Sequence, residues 1–341
     1  MKRNTYFLVL LFVSFIYSLH AQNINGYVFD SETNEPLLGV NVYFEGSTLG
    51  AVTNVNGYFT IKIPGKIISR PLVISYLGYS KVIVARPFQA NLSKIYLTPE
   101  ATVLKEVVVG DDPFSRRQKI RAFKREFLGK TTAGRSCIIK NIEVLKLRFD
   151  SASNTLRASA DEPLIVINEY LGYELDFEII NFEVEFSRRS LLQTATIEAR
   201  FSGYTFYKDL QKGVELYNYR RRKVYEGSCL HFMRATANQS WEEENFQLYN
   251  LDFENRRIPI EIPSEYVTVI QEGPFKKVGI KGVLNFSFNN RKRSSVKSKI
   301  PFFKIDSYGI HSPSEDVKFQ GWIAAQRAGD LLPNDYGIWS F

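Results

Sequence analysis

After Ile24 the chain is dominated by short stretches in which every second residue is apolar. In the segment Val40–Phe44 every second residue, beginning with Val40, is apolar, and Phe59–Ile63 follows the same rule. Alternation of this kind is typical of strands that bury one face and leave the other in water. The Asn56-Gly57 pair that precedes the second stretch favours positive φ angles and therefore predicts a type I′ hairpin turn.

Further strand candidates follow at regular spacing. They are Leu72–Tyr76, Lys81–Ala85 and Leu92–Leu97. About seven short strands over roughly 75 residues predict a small antiparallel β-sandwich with Greek-key connections.

The period changes to that of a helix at Ser115–Leu128, where Phe123 and Phe127 share one apolar stripe. Asp111-Asp112-Pro113 supplies capping groups before this segment, and Gly129 is a suitable C-terminal stop. The opposite face carries six cations: Arg116, Arg117, Lys119, Arg121, Lys124 and Arg125. A basic amphipathic helix can lie on anionic lipid or lipopolysaccharide. Most runs of charged residues are simply solvated, however, so we expect a helix that docks through its aromatic stripe and leaves its cations in water.

Beyond Thr131 the pattern predicts a larger β-rich α+β region dominated by antiparallel sheet. The strand candidates are Ile142–Phe149, Thr155–Ala160, Phe182–Phe186, Ala195–Phe201, Val267–Ile270 and Val278–Phe288. A turn at Asp150–Asn154 joins the first two into a hairpin. Ser228 is placed to cap a helix, and a second helical piece is predicted over residues 321–328.

The first 21 residues have the pattern of a secretory signal peptide. Lys2 and Arg3 precede an apolar run from Tyr6 to Leu19, and Ala21 stands before the expected cleavage point. The run is short for a membrane-spanning helix, which needs roughly 20 residues. We therefore expect export, followed by a sandwich domain (22–100), a linker with the basic helix (101–130) and the α+β region (131–341).

Composition restricts the chemistry. The 341 residues carry a formal charge of +8, and loss of residues 1–21 would leave 42 basic against 36 acidic residues, or +6. Only His231 and His311 would then remain as imidazoles, and Cys137 and Cys229 as thiols. An exported compartment permits a disulfide, but the sequence leaves open whether these two cysteines pair.

Several linked motifs resemble the carboxypeptidase-regulatory-like domain. They are Gly26–Asp30, Pro36–Val42, Thr53–Ile61, Ser75–Tyr79 and Leu104–Val109. The resemblance implies a transthyretin-like, immunoglobulin-type sandwich that holds no catalytic residues. The same module stands at the front of many TonB-dependent outer-membrane transporters.

The later part of the chain is similar to a two-part family of exported carboxypeptidase-like regulatory domain-containing proteins. The similarity rests on Phe123–Gly129, Asp161–Leu164, Leu171–Tyr173, Tyr225–Arg234 and Leu331–Tyr336. It implies the two-part architecture and brings no activity or binding residues with it.

Metal sites are not predicted. The acidic run Asp30–Glu35 has Glu35 and Asn41 at the sixth and twelfth places, where a calcium-binding EF-hand needs Gly and Glu, so we interpret the run as a polar turn. Cys229 and His231 are two residues apart, yet the close ligand pairs of a structural zinc site are missing. No cofactor or metal ligand is predicted.

Enzyme chemistry has little support. No Gly-x-Ser-x-Gly elbow occurs, and the acid runs Asp161-Glu162 and Glu242-Glu243-Glu244 are the remaining candidates for a peptide or glycan hydrolase. A small outer-membrane β-barrel ending in Phe341 is a further alternative, but Pro333 and Gly337 interrupt the last segment. We predict no catalytic residue.

Two basic clusters, Arg220–Lys223 and Arg291–Arg293, have tyrosine neighbours that are able to stack on nucleic-acid bases. Export argues against a nucleic-acid partner, and solvated hairpin tips are the expected interpretation. The sequence thus predicts a non-catalytic exported protein that acts in binding or assembly at the periplasmic face of the outer membrane. Its partner would be an envelope protein, such as a TonB-dependent transporter or a glycan-handling system, or an anionic lipid or lipopolysaccharide surface.

Overall fold

The computed structural model describes residues 22–64, 70–100 and 112–338. Strand makes up 42% and helix 19%, so the prediction of a mainly β protein is confirmed. The predicted signal peptide and the motif Leu104–Val109 lie outside the described residues.

Seven strands form the N-terminal sandwich within the described part of residues 22–100. They are β1 Gln22–Asp30, β2 Asn41–Phe44, β3 Gly50–Val52, β4 Tyr58–Ile63, β5 Leu72–Ser75, β6 Val82–Val84 and β7 Ile95–Leu97. The sheet orders are β4-β1-β7 and β3-β2-β5-β6. Apolar residues of both sheets, including Val40, Val42 and Phe59, form the N-terminal core between them, as the alternation predicts.

The prediction of a wholly antiparallel sandwich is wrong at one edge, because β7 pairs with β1 in parallel. The chain reaches β7 from β6, which belongs to the opposite sheet, so β7 is not the return strand of a hairpin with β1.

The predicted type I′ hairpin at Asn56-Gly57 is also wrong. Only Gly57 has a positive φ, 70°, and β3 and β4 belong to different sheets. The side chain of Asn54 accepts hydrogen bonds from the N–H groups of Asn56 and Tyr58, which builds the turn locally. Glycine is required at 57, because a Cβ there would lie 2.4 Å from the carbonyl oxygen of Val28.

A helix against a six-stranded sheet forms the second unit. It contains α1 Arg116–Leu128, α2 Thr132–Arg135, β8 Cys137–Ile139, β9 Lys146–Asp150, β10 Thr155–Ser159, β11 Leu164–Asn168, β12 Tyr173–Phe186 and β13 Thr196–Asp209. The predicted helix and the hairpin at Asp150–Asn154 are confirmed. Phe123 and Phe127 of α1 are fully buried, with ring centroids 4.7 Å from Phe182 and 4.8 Å from Phe177. These residues belong to the middle core.

The N-cap of α1 lies three residues after the position that the sequence predicts. Ser115 is the N-cap and forms a capping box with Gln118, whereas Pro113 precedes the helix. The carboxylate of Asp112 accepts instead from the N–H groups of Phe114 and Phe149. Gly129 ends the helix with a φ of 91°, as predicted.

Two helices and nine strands form the third unit. They are α3 Glu215–Tyr225, α4 Cys229–Asn238, β14 Phe246–Leu251, β15 Arg257–Pro259, β16 Val267–Glu272, β17 Phe275–Ile280, β18 Val283–Phe288, β19 Lys292–Ser298, β20 Phe303–Ile305, β21 His311–Ser312 and β22 Val317–Gly321. The sheets run β15-β14-β18-β19-β22 and β16-β17-β20-β21. Helix α4, capped by Ser228 as predicted, stacks Phe232 on Phe286 at 3.6 Å in the C-terminal core.

Two predictions in this unit need correction. The single strand proposed over Val278–Phe288 is two strands, because Gly282 with a φ of 70° turns the chain between β17 and β18. The helical piece proposed over residues 321–328 is replaced by 3-10 turns at Ile323–Ala325 and Ala328–Asp330. Helix α3 was not predicted.

Residues 331–338 form a C-terminal clasp that contacts all three units. Leu332 is buried in the middle core, and Ile338 packs against the N-terminal core. Asn334 donates its N–H to the carbonyl oxygen of Gly46 at 2.7 Å, and the carboxylate of Asp335 accepts from the N–H and the hydroxyl of Thr48. Burial raises the pKa of Asp335.

Arg234 of α4 completes the clasp from the third unit. Its guanidinium donates to the carbonyl oxygens of Tyr308, Tyr336 and Asn334 at 2.9, 2.7 and 2.8 Å. Tyr308 lies in the loop after β20, and its side chain is buried in the N-terminal core. One side chain therefore connects three cores.

A buried ion pair supports the same junction. The guanidinium of Arg70 donates to the carboxylate and the carbonyl oxygen of Glu45 and lies 3.5 Å from the carboxylate of Asp306. Asp306 in turn accepts from the N–H groups of Tyr308 and Ile310, which fixes the loop that enters the N-terminal core.

Replacing Arg234 with alanine removes charged donors from three carbonyl groups. We expect the free energy of unfolding to fall by about 2–4 kcal/mol, because half-buried acceptors lose charge-assisted hydrogen bonds. Urea denaturation followed by circular dichroism measures this change.

The matched control is Arg256→Ala. Arg256 is exposed, and within the described part of the chain its ion pairs are with two neighbouring acids, Asp252 and Glu254. Its loss should therefore cost less than about 1 kcal/mol. Equal losses in the two variants would contradict a central role for Arg234.

Candidate functional site

The two basic clusters singled out from the sequence meet at one cleft between the second and third units. Lys223, near the end of α3, and Lys292, at the start of β19, both line a cavity of about 300 Å³. Tyr170, Trp322 and Gln326 complete its principal walls. We call this cavity the basic cleft.

A helix end brings the two lysines together. The ammonium group of Lys292 donates to the carbonyl oxygens of Glu226 and Lys223, at the C-terminus of α3. A cation is stabilised there by the unpaired carbonyl groups and the helix dipole. The same ammonium lies 5.1 Å from the ring centroid of Trp322, and burial lowers the pKa of Lys292.

Trp322 is fixed by a backbone hydrogen bond, while the residue remains 44% exposed. Its N–H donates to the carbonyl oxygen of Arg293 at 2.8 Å. Gly321 before it has a φ of 78°, and a Cβ at this position would lie 2.4 Å from the same oxygen. Glycine thus permits the close approach that presents the indole to the cleft.

Tyr170 is a second aromatic residue in the wall of the cleft. The guanidinium of Arg220 lies 4.7 Å from its ring centroid and donates to its carbonyl oxygen at 3.3 Å. A stacked guanidinium favours a fixed ring orientation and adds positive charge beside the cleft.

Among the described residues, Asp330 is the one carboxylate that lines the basic cleft. It accepts hydrogen bonds from the hydroxyl of Thr131 at 2.5 Å and from the N–H of Arg327 at 3.2 Å. Burial raises its pKa. These hydrogen bonds join Asp330 to the N-terminus of α2 and to the turn that follows Arg327, so Asp330 stabilises the wall of the cleft.

A second cavity of about 420 Å³ adjoins the basic cleft and shares Lys223 and Lys292 with it. Arg291, Glu226 and Phe288 are among its other walls. Three cations from two distant segments, Lys223, Arg291 and Lys292, therefore line the walls of these two cavities.

The expectation of hairpin tips is wrong for the first cluster, although Arg222, Lys223, Arg291 and Arg293 are exposed as expected. Arg220–Lys223 lies on α3, and only Arg291 occupies the turn between β18 and β19. Arg221 is buried, makes a two-pronged pair with the carboxylate of Asp209 at 2.6 and 2.8 Å, and donates to the carbonyl oxygen of Leu171. It has a structural role outside the cleft.

The basic face of α1 divides in a similar way. Arg116 donates to the carbonyl oxygens of a neighbouring turn, Lys119 pairs with Asp112, and Arg125 pairs with Glu126. Exposed positions 117, 121 and 124 form the remaining stripe: Arg117, Arg121 and Lys124. Packing of the aromatic stripe against the middle core agrees with the docked-helix interpretation.

The two acid runs are used separately. Asp161 pairs with Lys146 at 2.5 Å on the exposed side of the second unit. Glu244 accepts a hydrogen bond from His231 at 2.9 Å in the third unit. Neither cavity described above has a wall residue from either run.

The sequence predicts no metal site at His231 or at the acidic turn after β1. Both His231 and Asp30 of that turn form hydrogen bonds within the protein. Nδ1 of His231 accepts the N–H of Gly227, which leaves Nε2–H to donate to Glu244. The carboxylate of Asp30 accepts from the N–H groups of Glu32 and Thr33 and from the hydroxyl of Tyr79, which also lowers its pKa. Within residues 22–64, 70–100 and 112–338 no group of three or more ligand side chains is placed to hold a metal ion.

Sequence reasoning missed Tyr170 and Trp322. An exposed tryptophan directly after a glycine at a strand end was the available signal for Trp322, but its neighbours were interpreted as a helix. Nothing in the local pattern separates Tyr170 from the many other tyrosines of the chain.

Comparison with known families decides the identity of the first unit. The CarboxypepD_reg-like domain family matches residues 24–109, which include nearly all of the seven-stranded sandwich. Residues 24–109 are a CarboxypepD_reg-like domain. An additional C-terminal region, which contains the basic cleft, follows the CarboxypepD_reg-like domain.

Similarity to solved structures is low. Two mutant type II cohesin–X-dockerin complexes from Acetivibrio cellulolyticus match with 25% and 26% identity over 23% of this chain, with TM-scores of 0.18 and 0.17. The match spans 51%, about half, of those chains. A Bacteroides fragilis protein of unknown function, described as membrane-associated, is 10% identical over 88% of this chain and 92% of its own, with a TM-score of 0.18.

These TM-scores do not indicate a shared overall fold. No curated protein matches the sequence. No helix in the described part of the chain has both the length and the apolar character needed to cross a membrane.

Both cysteines lie outside the CarboxypepD_reg-like domain and are free thiols. Burial raises the pKa of Cys137 and of Cys229 to about 12. The thiolate is the form that reacts with a disulfide reagent, and a raised pKa leaves little of it in the native protein. At pH 8 we expect the native protein to react at least about a hundredfold more slowly than the unfolded chain.

Thiol titration before and after guanidinium addition measures this difference. Mass spectrometry with and without reductant is the control, since a disulfide would add two hydrogens on reduction. Rapid native reaction or a reducible disulfide would contradict the free, protected state.

His311 makes stability depend on pH. Burial lowers its pKa from 6.5 to about 4, and its ring contacts Phe303 and Phe319. The neutral imidazole therefore stabilises the fold fully above pH 6.5, and this contribution is lost as the pH falls towards 4.

The variant His311→Phe keeps an aromatic ring at the site but has no imidazole to protonate. When the pH is lowered from 7 to 5, its free energy of unfolding should fall by about 1–2 kcal/mol less than that of the wild type. Urea denaturation of both proteins at the two pH values measures it. Identical acid sensitivity would show that His311 does not carry the effect.

Proposed function

We propose that this CarboxypepD_reg-like domain protein is a non-catalytic, exported cell-envelope protein that acts by binding at the periplasmic face of the outer membrane. The observation that carries the proposal is the basic cleft, in which Lys223, Lys292, Trp322 and Tyr170 converge from four segments of the chain. Junctions between units that combine aromatic walls with a few polar groups are typical of binding sites.

The charge of the cleft supports an anionic partner. Lys223 and Arg291 have no carboxylate within ion-pair distance among the described residues, and Asp330 is engaged by Thr131 and Arg327. Unneutralised positive charge at a concave site raises the local concentration of anions.

Export is supported by the N-terminal sequence. Lys2 and Arg3 precede the apolar run Tyr6–Leu19, and Ala21 is a suitable residue before the cleavage point. An envelope partner, such as a TonB-dependent transporter or a glycan-handling system, agrees with the known settings of the CarboxypepD_reg-like domain.

A non-catalytic role is supported by the hydrogen bonds and ion pairs of the side chains that were candidates for catalysis. His231 has both ring nitrogens in hydrogen bonds, and the acids at Asp161 and Glu244 belong to different units. Each described cavity contains a single carboxylate, Asp330 or Glu226, and therefore lacks the facing carboxylate pair of a glycoside hydrolase.

A second surface agrees with attachment to the envelope. Arg117, Arg121 and Lys124 occupy positions i, i+4 and i+7 of α1 and are all exposed. This spacing places three cations in one stripe, which suits anionic lipid or lipopolysaccharide phosphate.

Cell fractionation of a C-terminally tagged full-length chain tests the export proposal. We expect envelope localisation and a mature N-terminus at Gln22, measured by peptide mass spectrometry. Lys2→Glu together with Arg3→Glu should slow processing, whereas full-length cytosolic protein without cleavage would overturn export.

Affinity capture from envelope extracts tests the binding proposal. Lys223→Glu should reduce recovery of a reproducible partner at least about tenfold, whereas Arg222→Glu, on the same helix but outside both cavities, should not. Absence of any reproducible envelope partner for the wild-type protein would count against the proposal.

A further inference from the structure

The walls of the basic cleft restrict the chemistry of its ligand. Trp322 and Tyr170 provide aromatic ring faces, which attract either cations or the C–H face of a ring, and Lys292 and Arg220 already lie over one face of each ring. Lys223, Lys292 and the nearby Arg220 disfavour a cationic ligand by repulsion. The ligand class is therefore an anion with an apolar ring face.

Polar groups stand beside these rings. The side-chain oxygen of Gln326 accepts the N–H of Cys229 at 3.3 Å, which leaves its amide N–H groups for a ligand. Thr132, an exposed residue with a side-chain hydroxyl, also lines the cleft. These groups are suited to hydroxyl or acetamido substituents, which a purely aromatic acid lacks.

Size gives a further limit. The cavity volume of about 300 Å³ lies at the small end of ligand pockets, so one ring or two will fit but a long chain segment will not. Lys223 is exposed, and its ammonium lies 5.3 Å from the ring centroid of Tyr219. It is free to pair with an acidic group, whereas Lys292 is already bound to two carbonyl oxygens.

We propose that the basic cleft binds an acidic sugar residue, with the pyranose ring against Trp322 and its carboxylate or phosphate beside Lys223. This inference rests on the proposed binding function and names the ligand class of the same site. Within the envelope the same chemistry occurs in two sources, a carboxylated glycan such as peptidoglycan and the phosphorylated sugar of a lipid headgroup.

Tryptophan fluorescence of the mature chain provides the test. N-acetylmuramic acid is the carboxylate probe, N-acetylglucosamine 1-phosphate is the phosphate probe, and N-acetylglucosamine is the neutral control. We expect at least one acidic sugar to change the emission and to bind about tenfold or more tightly than the neutral sugar. Binding of only one acidic sugar identifies the source of the ligand.

Variants assign the signal to the cleft. The chain has two other tryptophans, Trp339 and the buried Trp241, so Trp322→Phe should abolish the emission change and Trp339→Phe should preserve it. Circular dichroism verifies that each variant is folded. Lys223→Ala should weaken the acidic sugar about tenfold, a difference of about 1.4 kcal/mol, and leave the neutral sugar unchanged. Arg222→Ala is the matched control and should bind as wild type does. About 0.5 M NaCl should weaken binding of the acidic sugars alone.

Three results would overturn the inference. They are equal binding of acidic and neutral sugars, no binding of any probe up to about 10 mM, and equal effects of Lys223→Ala and Arg222→Ala. If the probes fail while Lys223→Glu still abolishes partner capture, the sugar assignment is wrong and the proposed binding function stands. If neither sugars nor envelope partners bind, both fail.

Discussion

The guanidinium of Arg234 is the interaction on which the arrangement of the three units depends. It joins α4 to the carbonyl groups of the clasp and of the loop whose Tyr308 enters the N-terminal core. The chain that lines the basic cleft at Gln326 and Asp330 continues directly into this clasp. The walls of the cleft come from two units, so their separation is set by the same contacts that hold the clasp in place.

Lys292 connects stability with the candidate site. Its ammonium binds the carbonyl groups at the end of α3 and lies against Trp322. A ligand that drew this ammonium away would leave helix carbonyls without their donor, which is unfavourable. The arrangement favours Lys223 as the mobile contact and Lys292 as the fixed source of positive potential.

Local pattern was sufficient for most strands of the CarboxypepD_reg-like sandwich, which show a period of two, for the apolar stripe and Gly129 stop of α1, and for α4 with its Ser228 cap. It was insufficient where tertiary contacts decide. The parallel β7 depends on a crossing between sheets, and the turn at Gly57 depends on the side chain of Asn54. The basic cleft joins residues about 70 positions apart, Lys223 and Lys292, and the hydrogen bonds that unite them have no local signature. Trp322 is presented by a contact of Gly321 with Arg293, again across two strands.

The position of the clasp in the sequence has a consequence for assembly. Thr48 is synthesised long before Asp335, its partner 287 positions further along the chain, and the same holds for Gly46 and its partner Asn334. Domains fold largely as units while the chain emerges. The CarboxypepD_reg-like sandwich therefore has time to fold by itself, and its docking onto the remainder is completed only when Asn334 and Asp335 have been synthesised.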